Sequence, residues 1–166
     1  PGKIAKVKHH AALPVGEVGV FMQRLRKQDG IGARALEFTI LCASRSGEVR
    51  NATWGEVDLD AAIWVVPAER MKAGKEHRVP LSKAAVALLK ALPHGKAGDL
   101  VFPAQRGKAL SDMTLSAVLR RMDVGAVPHG FRSTFRDWCS ERTNFPREVA
   151  EMALAHTIGD AVEAAY

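Results

Sequence analysis

At 166 residues the chain fits a single domain, long enough to bury most of its apolar surface. Its 47% hydrophobic and 25% charged content is that of a globular protein and excludes a disordered one, and no apolar run approaches the roughly 18 residues of a membrane-spanning helix. Lys and Arg outnumber Asp and Glu by 24 to 18, a net charge of +6 that suits a nucleic-acid partner without requiring one.

The opening stretch, Pro1 to His10, is basic and lacks the apolar core and cleavage site of a secretory signal. With no initiator Met, the chain reads as a piece of a longer protein, and residues 1–12 as the end of an interdomain linker, with the domain proper over 13–166. Val18, Phe21, Met22 and Leu25 fall at i, i+3, i+4, i+7 and predict a helix that stops at Asp29-Gly30. Ala33 to Ala43 is apolar nearly all round, which predicts a central buried helix. Ser44-Arg45-Ser46-Gly47 interrupts it, and a short helix through Glu48 and Val49 follows.

From Val57 the period changes. Asp58-Leu59-Asp60 is rich in turn formers, Ile63 to Val66 is a β-branched and aromatic run bounded by Pro67, and His77-Arg78-Val79 is a third short run ending at Pro80. These predict a small antiparallel sheet, with Lys72 to Lys75 at the turn of its second hairpin. Helical stripes then resume at Leu81, Ala85, Leu88, Leu89, Leu92 and again at Leu115, Val118, Leu119, Met122. Between them lie a loop over Pro93 to Gly98 and an apolar Leu100-Val101-Phe102. Gly130 to Arg142 and Pro146 to Leu154 read as helices, the latter with Pro in its first position, and Asp160 to Tyr166 as a last short one. The expected architecture is mainly α with one small antiparallel sheet, an α+β domain. Cys42 and Cys139 lack metal-type or redox-type spacing and read as reduced core thiols, and Trp54, Trp64 and Trp138 as core. His9, His10, His77 and His94 read as solvent-facing or backbone-contacting.

Four segments place functional groups at element ends. Arg45 stands where the buried helix ends, with Glu48 beside it, and Lys72 and Lys75 crown a hairpin. His129 and Arg132 form an HxxR at a helix start and so share a face, while His156 stands ten residues before Tyr166, the chain's only tyrosine. Each alone has a plainer reading. Arg45 suits a helix C-terminus, hairpin lysines are commonly solvated, an HxxR recurs by chance, His156 fits a satisfied buried histidine, and a lone Tyr is usually a core or interface residue.

Together they describe a chemistry. A phenol with a pKa near about 10 is a poor nucleophile at neutral pH. Two guanidiniums stabilise its phenolate and offer fork-shaped donors to the non-bridging oxygens of a phosphodiester, most strongly as charge grows there in the transition state. A Lys or His protonates the departing sugar oxygen. Such a set does without the divalent ion used elsewhere.

The stretches SRSGEVRNATWGEVDLD, ERMKAGKEHRVPLS, HGFRSTFRDW and EMALAHTIGDAVEAAY, in that order, carry a close resemblance across essentially the whole chain. The chain resembles the catalytic domain of the tyrosine recombinases, and within them the integrases of satellite phages and integrative islands. The resemblance implies the DNA breaking-rejoining fold and a site-specific recombinase that integrates or excises a phage or mobile element. It implies that Arg45 and Arg132 clamp the scissile phosphate, Lys72 is the general acid for the leaving 5′ oxygen with Lys75 as the alternative, and His129 assists proton transfer as a base toward the tyrosine. His156 then hydrogen-bonds the phosphate, Tyr166 forms a 3′-phosphotyrosyl link, and Glu48 supports the site by orienting a catalytic group. It further implies no cofactor and no metal. The expected partners are double-stranded DNA at attachment sites and other recombinase subunits, as a tetramer on DNA, with no membrane, in the cytoplasm of a bacterial host and on its nucleoid. Two other readings stay open. A type IB topoisomerase shares the chemistry but needs no paired specific sites, and a catalytically inactive DNA-binding module forms no covalent complex on nicked DNA.

Overall fold

The computed structural model describes residues 10–156. The chain order is α1 (Val18–Arg26), α2 (Ile31–Leu41), α3 (Ser46–Arg50), a sheet of β1 (Val57–Asp58), β2 (Ile63–Val66) and β3 (His77–Pro80), then α4 (Lys83–Lys90), α5 (Thr114–Arg121), α6 (Gly130–Arg142) and α7 (Arg147–Ala153). Four one-turn 3-10 segments punctuate it. The expected mixture of helices with one small sheet is what forms; the expected helix over 160–166 lies outside the described residues.

Helix α2 is the hub. Its Ala33, Ala35, Leu36 and Phe38 are buried, and α1, α3, α4 and α5 all pack on it. Burial all round leaves its polar residues needing partners inside the protein. Glu37 finds them in Arg26, at 2.7 Å, and Arg34, at 2.9 Å, while Thr39 donates to the Ala35 carbonyl. Phe38 meets Trp64 of β2 at 5.3 Å between ring centroids and Phe102 at 5.4 Å, joining helices to sheet. The apolar Leu100–Phe102 run anchors its loop by pairing with the chain after α3, Val101 N–H donating to the Ala52 carbonyl.

The sheet has the order β1-β2-β3, antiparallel throughout, with Trp64 opposite Val57 on one side and Val79 on the other. Pro80, expected to end the third run, lies within β3 opposite Ile63. An edge strand has one side free of ladder bonds, so a proline there removes none. Helix α4 starts at Ser82, whose hydroxyl accepts from Ala85 N–H at 3.2 Å.

Helix α6 begins inside the core, where Phe131 stacks on Phe21 of α1 at 5.3 Å, and then leaves it. Its second half packs on α7, with Cys139, Ala150 and Leu154 buried outside the main core cluster. Trp138 is for that reason not core: it is 42% exposed and lies against Phe135 at 6.0 Å. Pro146 precedes α7 in an extended conformation instead of opening its first turn. Cys42 and Cys139 are both free and buried, and burial pushes both thiols above their ordinary range. Among the described residues no helix is long and apolar enough to cross a membrane.

Candidate active site

Two helix ends build the site. Helices α2 and α7 both finish in a Schellman turn. Ser44 N–H donates to the Thr39 carbonyl at 3.1 Å and Ala43 N–H to that of Ile40 at 3.2 Å; at α7, His156 N–H donates to the Glu151 carbonyl and Ala155 N–H to that of Met152, both at 2.9 Å. Each turn needs one left-handed residue, and alanine supplies it twice: Ala43 and Ala155 both have φ of +49°. The residue leaving the first turn is Arg45, and the second turn presents His156.

Arg132, four residues along from Pro128 and in the first turn of α6, spans the two. Its guanidinium donates from Nη1 to the Ala43 carbonyl at 2.6 Å and from Nη2 to the Leu154 carbonyl at 2.5 Å. Nη2 also lies 3.1 Å from His156 Nε2. Two helix C-termini thus direct their partial negative charge at one buried cation, which offsets part of its desolvation. Burial, together with the Arg45 charge nearby, still lowers its pKa to about 10, so it stays protonated at neutral pH.

Arg45 begins α3. Its backbone N–H donates to Glu48 Oε2 at 2.9 Å and its Nη1 to Glu48 Oε1 at 2.8 Å, so one buried carboxylate both caps the helix and aims the side chain. Glu48 also offsets part of the repulsion that Arg132 feels from Arg45. Arg70, from the β2–β3 connection, donates to the Glu48 carbonyl at 3.1 Å and pairs with Glu56, tying the hairpin to α3.

His129 sits at the N-cap position of α6. Burial lowers its pKa, and the nearness of His10, Arg132, Arg45 and His156 lowers it further, so the imidazole is neutral near pH 7. His10 meets it edge-on at 4.6 Å, held there because Val127 N–H donates to the Ala11 carbonyl and Thr134 Oγ1 to that of Leu13. His10 is exposed, as expected, and is in addition a ring contact of the site; His94, also exposed, lies on the Trp54 ring at 4.4 Å.

The structure brings Arg45, Glu48, His129, Arg132 and His156 into one cluster. Lys72 and Lys75 sit together on the β2–β3 connection, both exposed, with buried Met71 anchoring the loop beside them. Neither amine makes a hydrogen bond or ion pair among the described residues. Tyr166 lies outside the described residues.

Three neighbours were not singled out from sequence. Glu151 accepts from His156 Nδ1 at 2.5 Å, and Arg136, one turn along α6 from Arg132, pairs with its other oxygen at 2.5 Å. Burial alone would raise the Glu151 carboxyl, but the His156 hydrogen bond and the Arg136 and Arg147 charges hold it below the usual carboxylate value. His77, opening β3, is the third. Burial lowers its pKa, Arg132 and Arg45 add to that, and Glu48 and the Ala153 carbonyl oppose it. The i+4 spacing of Arg132 and Arg136 was a signal for one of these; nothing in the sequence marked His77.

The integrase of Enterobacteria phage P4 is 33% identical to the chain over 183 residues, covering 97% of it and 42% of that relative. Prophage integrase IntA of Escherichia coli (strain K12) is 36% identical over 132 residues, covering 76% and 32%. The chain thus spans well under half the length of these curated relatives. Among solved structures, XerA recombinase superposes with a TM-score of 0.69 at 15% identity, over 99% of this chain and 65% of that one. A lambda integrase tetramer bound to a Holliday junction superposes at 0.67 and 18% identity, over 96% and 51%. At such identities the likeness is one of fold. The model of the phage integrase family matches residues 15–166, and the chain belongs to that family.

Proposed function

We propose that the chain is the catalytic part of a site-specific DNA recombinase that breaks and rejoins strands through a 3′-phosphotyrosyl intermediate. The observation that carries this reading is the pair Arg45 and Arg132, two guanidiniums of one cluster, with Arg45 close enough to disfavour the charge on Arg132. Such repulsion suits a site whose ligand is an anion, and a phosphodiester bound between them relieves it.

In this reading Tyr166 Oη attacks the scissile phosphorus, forming a P–O bond to the tyrosine as the bond to the 5′ oxygen breaks. Arg45, one nitrogen on Glu48 and its side chain 26% exposed, still has donors for a non-bridging oxygen. Arg132 supplies the second arm of the clamp. Neutral His129 accepts the phenolic proton, its lowered pKa keeping the ring unprotonated and open to it. Lys72 protonates the departing 5′ oxygen, with Lys75 on the same loop as the alternative. His156 hydrogen-bonds the phosphate, and Glu48 orients Arg45. The reverse attack by a 5′ hydroxyl rejoins the strands, so no cofactor or metal is consumed.

The partners in this reading are double-stranded DNA at attachment sites and further recombinase subunits. The lambda integrase of like fold was captured as a tetramer on a Holliday junction, which supports that assembly for this protein. In this reading the protein acts on chromosomal and phage DNA in the bacterial cytoplasm, on the nucleoid.

The test is covalent capture. Full-length protein is incubated, in the presence of chelator, with a pool of nicked duplexes of randomised sequence, and the DNA-linked peptide is mapped. The expected product is linked at Tyr166, and Tyr166→Phe gives none. Linkage by the Phe variant, or a requirement for added magnesium or zinc, overturns the reading.

A further inference from the structure

Arg132, His156, Glu151 and Arg136 form a chain of contacts that runs from α6 to the end of α7 and back to α6, each member touching the next. The chemistry of the two partners of His156 fixes its state. A carboxylate only accepts, so Nδ1 must carry a proton and donate it to Glu151 Oε2. A guanidinium only donates, so Nε2 must present its lone pair to Arg132 Nη2. Only the neutral Nδ1–H tautomer satisfies both ring nitrogens, and a carboxylate on Nδ1 is a common means of orienting a histidine.

We propose that Glu151 is a positioning residue for the DNA chemistry, setting the tautomer and ring plane of His156 so that Nε2 faces the phosphate clamp. The Schellman turn brings this about locally. Glu151 is the third residue from the end of α7 and His156 the second beyond its cap, the two positions such a turn brings together. That pair is ordinarily apolar; here it is a carboxylate and an imidazole. Arg136 holds the far oxygen of Glu151, and Arg147 lies at 3.8 Å from the same oxygen, so the carboxylate cannot swing away. Glu151 touches no reacting atom and acts only through His156. When a phosphate oxygen enters, it replaces Nε2 as the acceptor for Arg132; Nε2 then takes a proton from solvent and donates it to that oxygen, while Nδ1–H stays on the Glu151 carboxylate.

The inference rests on the recombinase reading, and its test separates the two. Nitrogen-15 shifts of the His156 ring report the tautomer in the DNA-free protein, independently of any reaction. The wild-type ring is expected as Nδ1–H. In Glu151→Ala the freed ring turns away from Arg132 and takes the Nε2–H form that a free imidazole prefers, and covalent capture slows on the order of 10²-fold while the melting temperature moves little. Glu151→Gln, whose amide oxygen still accepts from Nδ1, keeps the tautomer and recovers most of the rate. A Glu151→Ala protein with the wild-type tautomer, or with undiminished capture, overturns the proposal. So does a Glu151→Gln protein as slow as the Ala variant with its tautomer intact. Absence of capture by the wild-type protein refutes the recombinase reading, and the tautomer measurement then decides by itself whether Glu151 sets the ring.

Discussion

Arg132 donates to the carbonyl of Ala43 at 2.6 Å, and Ala43 is the left-handed residue that ends α2 two positions before Arg45. One arginine of the clamp therefore holds the turn from which the other emerges. Replacing Arg132 by Ala leaves the Ala43 and Leu154 carbonyls without their donor, and a buried polar group so orphaned costs about 1–3 kcal/mol. We expect Arg132→Ala to lose about 2–4 kcal/mol in urea unfolding and to slow covalent capture by about 10²–10³. Arg132→Lys keeps the charge but cannot span two carbonyls and His156, and should recover little of either. Wild-type stability in Arg132→Ala would show that the bridge between α2 and α7 contributes nothing.

Glu48 serves Arg45 in two ways, through the backbone N–H and through Nη1. Glu48→Ala should cost about 1 kcal/mol for the lost cap and slow capture about 10- to 100-fold as Arg45 loses its aim. Glu48→Gln keeps one acceptor and should fall between. Equal rates for all three proteins would reduce Glu48 to a cap alone.

The segment before α1 is clamped to α6 at a glycine. A Cβ on Gly130 would lie 2.0 Å from the Ala11 carbonyl oxygen, a backbone atom that can move only if residues 10–13 lift. Gly130→Ala should therefore cost about 1–3 kcal/mol and break the edge contact of His10 with His129. Limited proteolysis reads this directly, by new cleavage near Ala11 in the variant and none there in the wild type.

Acid should weaken the fold before any carboxylate titrates. His77 and His129 are both held below the ordinary imidazole value of 6.5, chiefly by burial. Between their folded values and 6.5 the unfolded chain binds more protons than the folded one, so stability rises with pH through that window. It is fully present above about pH 6.5 and is lost as pH falls below it. Thermal melts between about pH 5 and pH 7.5 should show the melting temperature falling on the acid side of 6.5, with a shallower fall in His129→Asn. A melting temperature flat across that range would show that neither ring is held below the ordinary imidazole value.

The elements were legible because each rests on local pattern. The stripe at Phe21, Met22 and Leu25, the all-apolar α2 and the β-branched run at Ile63 to Val66 each bury a face that the sequence already marks. Arg45, His129, Arg132 and His156 were legible too, because their residue types fit one chemistry at element ends. What held them together was not. Schellman turns are normally announced by glycine, and Ala43 and Ala155 stand where glycine is expected, so neither turn, nor the meeting of Glu151 with His156 across the second, had a local signal. Trp138 was misplaced for a related reason: α6 keeps its helical pattern after it has left the core, and periodicity records a face without recording what covers it. The sequence by itself determined which groups were available and on which elements they ride. The tertiary structure alone decided their charge states and partners, because a guanidinium answers to the carbonyls and charges packed around it, and in Arg132 these come from residues 89 and 22 positions away in the chain.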